Sequence, residues 1–178
     1  EPFEIALDHD EDGNRAGSRK TVASHPIRAR RVETWQDLAA SDHGLMILNG
    51  DSSKLPVPAG TVDAVVTDPP YFDFVHYSEL SDFFFAWLSP VLRERYPWMA
   101  REDSSNLGEV QHKDPYVFAR QLASVFKEAC RVLKDDGVLA FSFHHSRAEG
   151  WAAIYEAISK AGLAVVAVHP VHAELRAA

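Results

Sequence analysis

Cysteine is nearly missing from these 178 residues: Cys130 is the single one, so no internal disulfide can form. That fits a reducing cytoplasm. Its spacing from Phe126 and Leu133 predicts a buried structural thiol in place of a nucleophile. No apolar run approaches the roughly 18 residues that a membrane span needs, and no signal peptide is visible, so no membrane partner is expected. Basic residues are short too, 18 against 26 acidic ones, for a net charge of −8. Such a chain does not grip a phosphate backbone non-specifically by itself. The one dense basic stretch, Arg28-Ala-Arg30-Arg31, reads as a solvated loop. There is no internal repeat and no low-complexity tract. An initial Met is also lacking, and Glu1 fits the start of an excised segment.

What is present is enough for one sizeable core, since 46% of the residues are apolar. Residues 1–32 stand apart from the rest. Phe3, Ile5 and Leu7 alternate, Asp12-Gly13-Asn14 and Ala16-Gly17 signal turns, and Thr21-Val-Ala can return as a second strand. This predicts an N-terminal hairpin or a partly mobile arm, with the main domain over 33–178. Thr34 to Ala40 reads as a short helix capped by Thr34. From Leu45 a β-α alternation sets in. Strands are expected at Leu45–Leu48, Val62–Thr67, Val138–Phe143 and Leu163–Val168.

Between them lie three helices. Ser78 is expected to cap one whose Leu80, Phe83, Phe84, Trp87, Leu88, Val91 and Leu92 form a continuous stripe packed on the sheet. Asp114 and Pro115 open the next, which buries Phe118, Leu122, Val125, Phe126, Ala129, Val132 and Leu133 and stops at Asp135-Asp136-Gly137. Ser146 caps the last, with Trp151, Ile154, Tyr155 and Ile158 inward and Gly162 closing it. Arg93 to Asp114 is a polar connection long enough to suspect a lid or clamp.

The chemistry sits in Asp63-Ala-Val-Val-Thr-Asp68-Pro69-Pro70-Tyr71. A β-branched run has the composition of a buried parallel strand. Two prolines forbid its continuation, because each fixes φ and removes a ladder donor. A carboxylate, a Pro carbonyl and a phenol ring are thereby left at a strand's carboxyl end, where open α/β sheets bind ligands. An exocyclic amine on a nucleobase is a poor nucleophile, its lone pair being delocalised into the ring. Two acceptors on its N–H groups, Asp68 and the Pro69 carbonyl, favour the pyramidal nitrogen from which attack occurs. Tyr71 offers a face for a flat base, worth about 1–3 kcal/mol in single-strand binding. A duplex base reaches such a pocket only by flipping out. The bland alternative is a rigid turn in which Asp68 caps a helix.

Asp68-Pro69-Pro70-Tyr71 resembles the hallmark motif of S-adenosylmethionine-dependent amino-methyltransferases, which methylate adenine N6 or cytosine N4. Asn49-Gly50-Asp51-Ser52, Gly60-Thr61-Val62-Asp63, Glu79-Leu80-Ser81-Asp82-Phe83-Phe84, Val132-Leu133-Lys134 through Gly137-Val138-Leu139, and Phe141-Ser-Phe-His144-His145 are similar to family segments as well. The chain most resembles large bacterial adenine-specific DNA methylases over about residues 45–175. The resemblance implies a partial Rossmann-like α/β fold, a mostly parallel sheet flanked by helices. It further implies methylation of a DNA base amine, adenine N6, in the cytoplasm. Asp68, Pro69, Pro70 and Tyr71 would form the target-amine site. Asp51 would lie near the cofactor adenine, with an Asx-turn as its equal rival, and Asp68 would also border the cofactor. Phe72, His76 and Tyr77 would line the base pocket, and His144 and His145 end the neighbouring strand. No metal is expected at His169 and His172.

One departure is large. The family's Gly-x-Gly cofactor loop occurs nowhere in the 178 residues, and the acidic ribose-binding residue is missing too. The chain is therefore expected to be the catalytic half of a longer enzyme whose N-terminal portion is absent. By itself it should bind S-adenosylmethionine weakly or not at all. Two rivals stand beside this reading. One is an RNA or protein-glutamine methyltransferase, groups that usually carry Asn at the position of Asp68. The other is a non-catalytic nucleic-acid-binding or assembly module that lacks a donor site.

Overall fold

A computed structural model describes residues 3–9, 15–22, 29–73, 75–106 and 108–171, the first two stretches as backbone only. The chain divides into two compact units, Glu1–Asn49 and Gly50–Ala178, so the expected boundary after residue 32 lies inside the first.

In the first unit β1 (Phe3–His9) and β2 (Arg15–Val22) pair antiparallel, Phe3 opposite Val22, with an irregularity between Leu7 and His9. Ala16 and Gly17 thus belong to a strand instead of a turn, while Asp12-Gly13-Asn14 lies outside the described residues. β3 (Arg30–Arg31) pairs parallel with β4 (Gly44–Leu45) around the short α1 (Trp35–Ala39). Thr34 caps α1 as expected, its hydroxyl oxygen accepting from the Asp37 N–H at 3.2 Å. The strand expected over Leu45–Leu48 shrinks to β4, with Ile47 and Leu48 exposed.

The second unit carries the α/β character. β5 (Val62–Thr67) ends where Asp68 and the prolines begin. α2 (Tyr77–Leu92) follows, then a short 3-10 turn at Pro97–Met99, α3 (Pro115–Val132), β6 (Leu133–Phe141) and α4 (Ala148–Ala161). α3 forms for legible reasons. Asp114 accepts from the N–H groups of Tyr116 (2.8 Å) and Val117 (3.3 Å), and Pro115 occupies the first helical position, where no amide bond is lost. Its inward face meets α4: Phe118, Leu122, Phe126, Ala153, Ile154, Ala157 and Ile158 are buried in one cluster. Gly162, at φ 79°, ends α4 in the left-handed conformation that glycine adopts without a Cβ penalty.

β5 and β6 run parallel, with Ala64 opposite Val138 and Thr67 opposite Phe141. Parity divides their side chains. Val65, Thr67, Leu139 and Phe141 are half-buried, Leu139 and Phe141 against the α3–α4 core; Ala64, Val66, Val138 and Ala140 face outward, Val66 at 81% exposure. The sheet is thus covered on one face, not two, and the buried strand expected at Asp63–Thr67 is half open.

Other expectations fail for physical reasons. Every sheet among the described residues has two strands, two of the three sheets being parallel, which is less than a Rossmann-like sheet. Leu163–Val168 joins no ladder, and Val165, Val166 and Val168 are exposed, because an extended segment becomes a strand only beside a partner. α3 ends at Val132, not at Gly137: Leu133 is already extended (φ −65°, ψ 144°), and residues 134–137 bulge between the pairs Val62–Leu133 and Ala64–Val138. Neither Ser78 nor Ser146 caps a helix; His76 and Arg147 hold those positions without side-chain capping bonds. Trp151 and Tyr155 are exposed, while Ile154 and Ile158 are inward as expected. The largest correction concerns α2. None of its residues is buried, so its apolar stripe does not pack on the sheet.

Candidate active site

The outward parity of the parallel pair continues past the last ladder residue. With Thr67 opposite Phe141, the next residues, Asp68 and Ser142, come side by side. Both are exposed, and the Ser142 hydroxyl donates to the Asp68 carboxylate. The Tyr71 hydroxyl donates to the same carboxylate oxygen at 2.7 Å. These two donors, Ser142 first and Tyr71 second, stabilise the ionised form and hold the Asp68 carboxyl below its usual range. Reciprocally, the Asp68 hydrogen bond pushes the Tyr71 phenol up, and partial burial adds to this. The acid is therefore an ionised acceptor fixed in orientation at a strand end.

Prolines and packing position the rest of the motif. Pro69 is buried and Pro70 half-buried. Tyr71 is half-buried with its ring edge-on to Phe143, centroids 5.5 Å apart. Phe72 then turns back at φ 54°, a left-handed conformation uncommon outside glycine and costing on the order of 1–3 kcal/mol. That reversal sends its ring into the core, 3% exposed and 5.5 Å from the Phe118 ring, where the burial of a large aromatic offsets the strain. Phe72 is thus a core residue, and it does not line a base pocket.

His76 and Tyr77 lie at the start of α2. His76 Nδ1 is 2.7 Å from the Gln111 side-chain nitrogen, with Asp73 and Glu79 carboxylates each 3.6 Å from its ring nitrogens. Tyr77 is exposed. A pocket of about 460 Å³ opens beside them, lined by Asp73, His76, Ser78, Asn106, Glu109, Gln111, His112, Lys113 and Gln121. Neither Asp68 nor Tyr71 lines it. The connection after α2, expected as a lid or clamp, is tied to that helix: Ser104 N–H and Oγ both donate to Asp82 at 2.7 Å, and Ser89 Oγ donates to the Met99 carbonyl at 2.7 Å.

Asp51 is exposed and makes an Asx-turn, accepting from Ser53 N–H at 2.8 Å and Ser53 Oγ at 2.7 Å. The Ser53 hydroxyl, then its amide, lowers the Asp51 carboxyl below its usual range. The two histidines separate. His144 is exposed; His145 is 4% exposed, its ring 5.7 Å from Phe72 and roughly parallel to Phe143 at 6.4 Å. The Cys130 thiol, half-buried, is pushed up by burial, as suits a structural group.

Sequence reasoning missed Ser142. Its signal was available in retrospect: a hydroxyl one residue beyond the strand that runs parallel to the Asp68 strand. Among the described residues no group of three or more His, Cys, Asp or Glu could hold a metal, and no helix is long and apolar enough to cross a membrane. The sequence also lacks the Gly-x-Gly loop by which the resembled family holds S-adenosylmethionine. Asp51 Oδ1 accepts from both the amide and the hydroxyl of Ser53. Comparison with family models, curated proteins and solved structures returns no match to this chain.

Proposed function

We propose that this chain supplies the amine-binding part of a Rossmann-like, S-adenosylmethionine-dependent DNA methyltransferase acting on adenine N6 in the cytoplasm. The observation that carries the reading is Asp68: an exposed, ionised carboxylate just past a parallel strand, held by Ser142 and Tyr71 and followed by two prolines. Its free oxygen and the Pro69 carbonyl would accept the two N–H groups of a flipped base, and Tyr71 would flank the base plane. Ser142 would keep the carboxylate aimed while the amine enters. The methyl donor would be held by an N-terminal portion of a longer polypeptide that carries the Gly-x-Gly loop absent from these 178 residues.

The test is transfer of a labelled methyl group from S-adenosylmethionine to unmethylated DNA, followed by nucleoside analysis. It is run on this chain and on a longer polypeptide containing it. N6-methyladenine is expected from the longer form and is lost in Asp68→Ala. An RNA or glutamine acceptor would appear as label in those pools instead. A second reading, an assembly module without catalysis, is favoured by the missing glycine loop and by Asp51 being turned to Ser53. It wins if the longer form neither binds donor calorimetrically nor labels DNA.

A further inference from the structure

On α2 the residues Leu80, Phe83, Phe84, Trp87, Leu88 and Val91 lie on one face, and each is 49–76% exposed. At roughly 150–250 Å² for each of the three aromatic side chains and less for the two leucines and the valine, that face presents on the order of 600–700 Å² of apolar surface. The largest apolar patch of a typical monomer is about 300–600 Å², whereas a stable complex buries about 800 Å² on each partner. The helix thus carries most of the surface of one half of a standard interface.

The order of the residues says what fits it. Their spacings along the helix run three, one, three, one, three, which reads the same in both directions. A two-fold axis between Phe85 and Ala86 therefore sets Leu80 against Val91, Phe83 against Leu88, and Phe84 against Trp87 of an antiparallel copy. The same operation sets the acidic Glu79 and Asp82 against Leu92 and Ser89, so no like charges are opposed. A two-fold interface must be complementary to itself, and the spacing of these six residues meets that requirement, with Tyr77 and Leu92 at the ends of the helix outside the repeat.

We infer that α2 is a homodimerisation element, pairing antiparallel with α2 of a second copy of this chain. The inference stands apart from the proposed chemistry, since none of its six residues belongs to the Asp68 site. Sedimentation equilibrium at tens of micromolar is expected to give twice the 19.8 kDa chain mass. Trp87→Glu and, separately, Phe84→Ser are expected to halve it without loss of helical circular dichroism. Cross-linking with a short bismaleimide in a Cys130→Ala background fixes the direction. Leu80→Cys combined with Val91→Cys should give covalent dimers, and Leu80→Cys alone should not. A wild-type mass of 19.8 kDa at that concentration, an aggregate of no fixed stoichiometry, dimers that survive both α2 substitutions, or efficient cross-linking of Leu80→Cys alone would each overturn the proposal.

Discussion

Gly150→Ala isolates one packing contact that supports the strand-end site. Gly150 is buried as the third residue of α4. A Cβ there would lie 2.5 Å from His145 Nδ1 and 2.8 Å from His145 Cδ2, inside any tolerable contact distance. The imidazole cannot simply swing away. Its Nδ1 accepts the Arg147 N–H at 3.0 Å, and Phe72 and Phe143 flank the ring at 5.7 and 6.4 Å. Two effects oppose each other. Overpacking a filled core costs about 1–3 kcal/mol. Alanine in place of glycine returns up to about 1 kcal/mol inside a helix, and less in the first turn. The steric term wins, leaving a loss on the order of 1–2 kcal/mol, or a fall of roughly 2–8 °C in Tm for a chain of this size. Thermal unfolding followed by circular dichroism measures it, and the His145 ring proton shifts should move with it. An unchanged or raised Tm would refute the reasoning, because helix propensity would then outweigh the clash.

The other predictions test separate links. Ser142→Ala removes the first of the two donors that lower the Asp68 carboxyl, so its titration midpoint, followed by carboxyl carbon shifts, should rise toward the ordinary Asp value; Tyr71→Phe should raise it less, and no change in either variant would remove the proposed orientation. Glu128 accepts from Arg131 and from the Leu55 amide, which lowers its carboxyl from 4.5 to about 2. Because the folded value lies below the unfolded one, its stabilising effect is full above pH 4.5 and is lost as pH falls toward 2; Arg131→Met should move the Glu128 midpoint upward and flatten stability against pH in that window. Phe126→Ala, at a side chain 1% exposed between the helices and β6, should cost about 3–5 kcal/mol in urea unfolding. Asp114→Ala should cost about 1 kcal/mol by uncapping α3.

Legibility followed whether a feature is local. α3 could be placed from Asp114, Pro115 and the spacing of Phe118, Leu122, Phe126 and Ala129, because caps and helical period act within a few residues. β5 was legible from its β-branched run and the proline stop. The burial of α2 was not, since periodicity tells which residues share a face and nothing of what that face meets. Leu163–Val168 had a strand's composition without a strand's partner. Phe72 followed the motif in sequence, yet its positive φ turned it into the core, a reversal no composition rule signals for phenylalanine. Asp51 makes its Asx-turn for a local reason: Ser53 stands where such a turn needs a donor.

The site and the core depend on a single registration. In the pairing of Thr67 with Phe141, one parity sends Leu139 and Phe141 onto the α3–α4 cluster, and the other brings Asp68 beside Ser142. A slip of one residue between the two strands would break both at once. It would turn the half-buried Leu139 and Phe141 to solvent, losing about 1 kcal/mol for each, and would leave Asp68 without its first hydrogen-bond donor. The apolar burial that specifies the register thus also fixes where the carboxylate stands. For that reason volume-conserving changes at Leu139 should leave the Asp68 titration unmoved. A charged residue there, Leu139→Lys, should shift that titration toward the ordinary Asp value together with the loss of core packing.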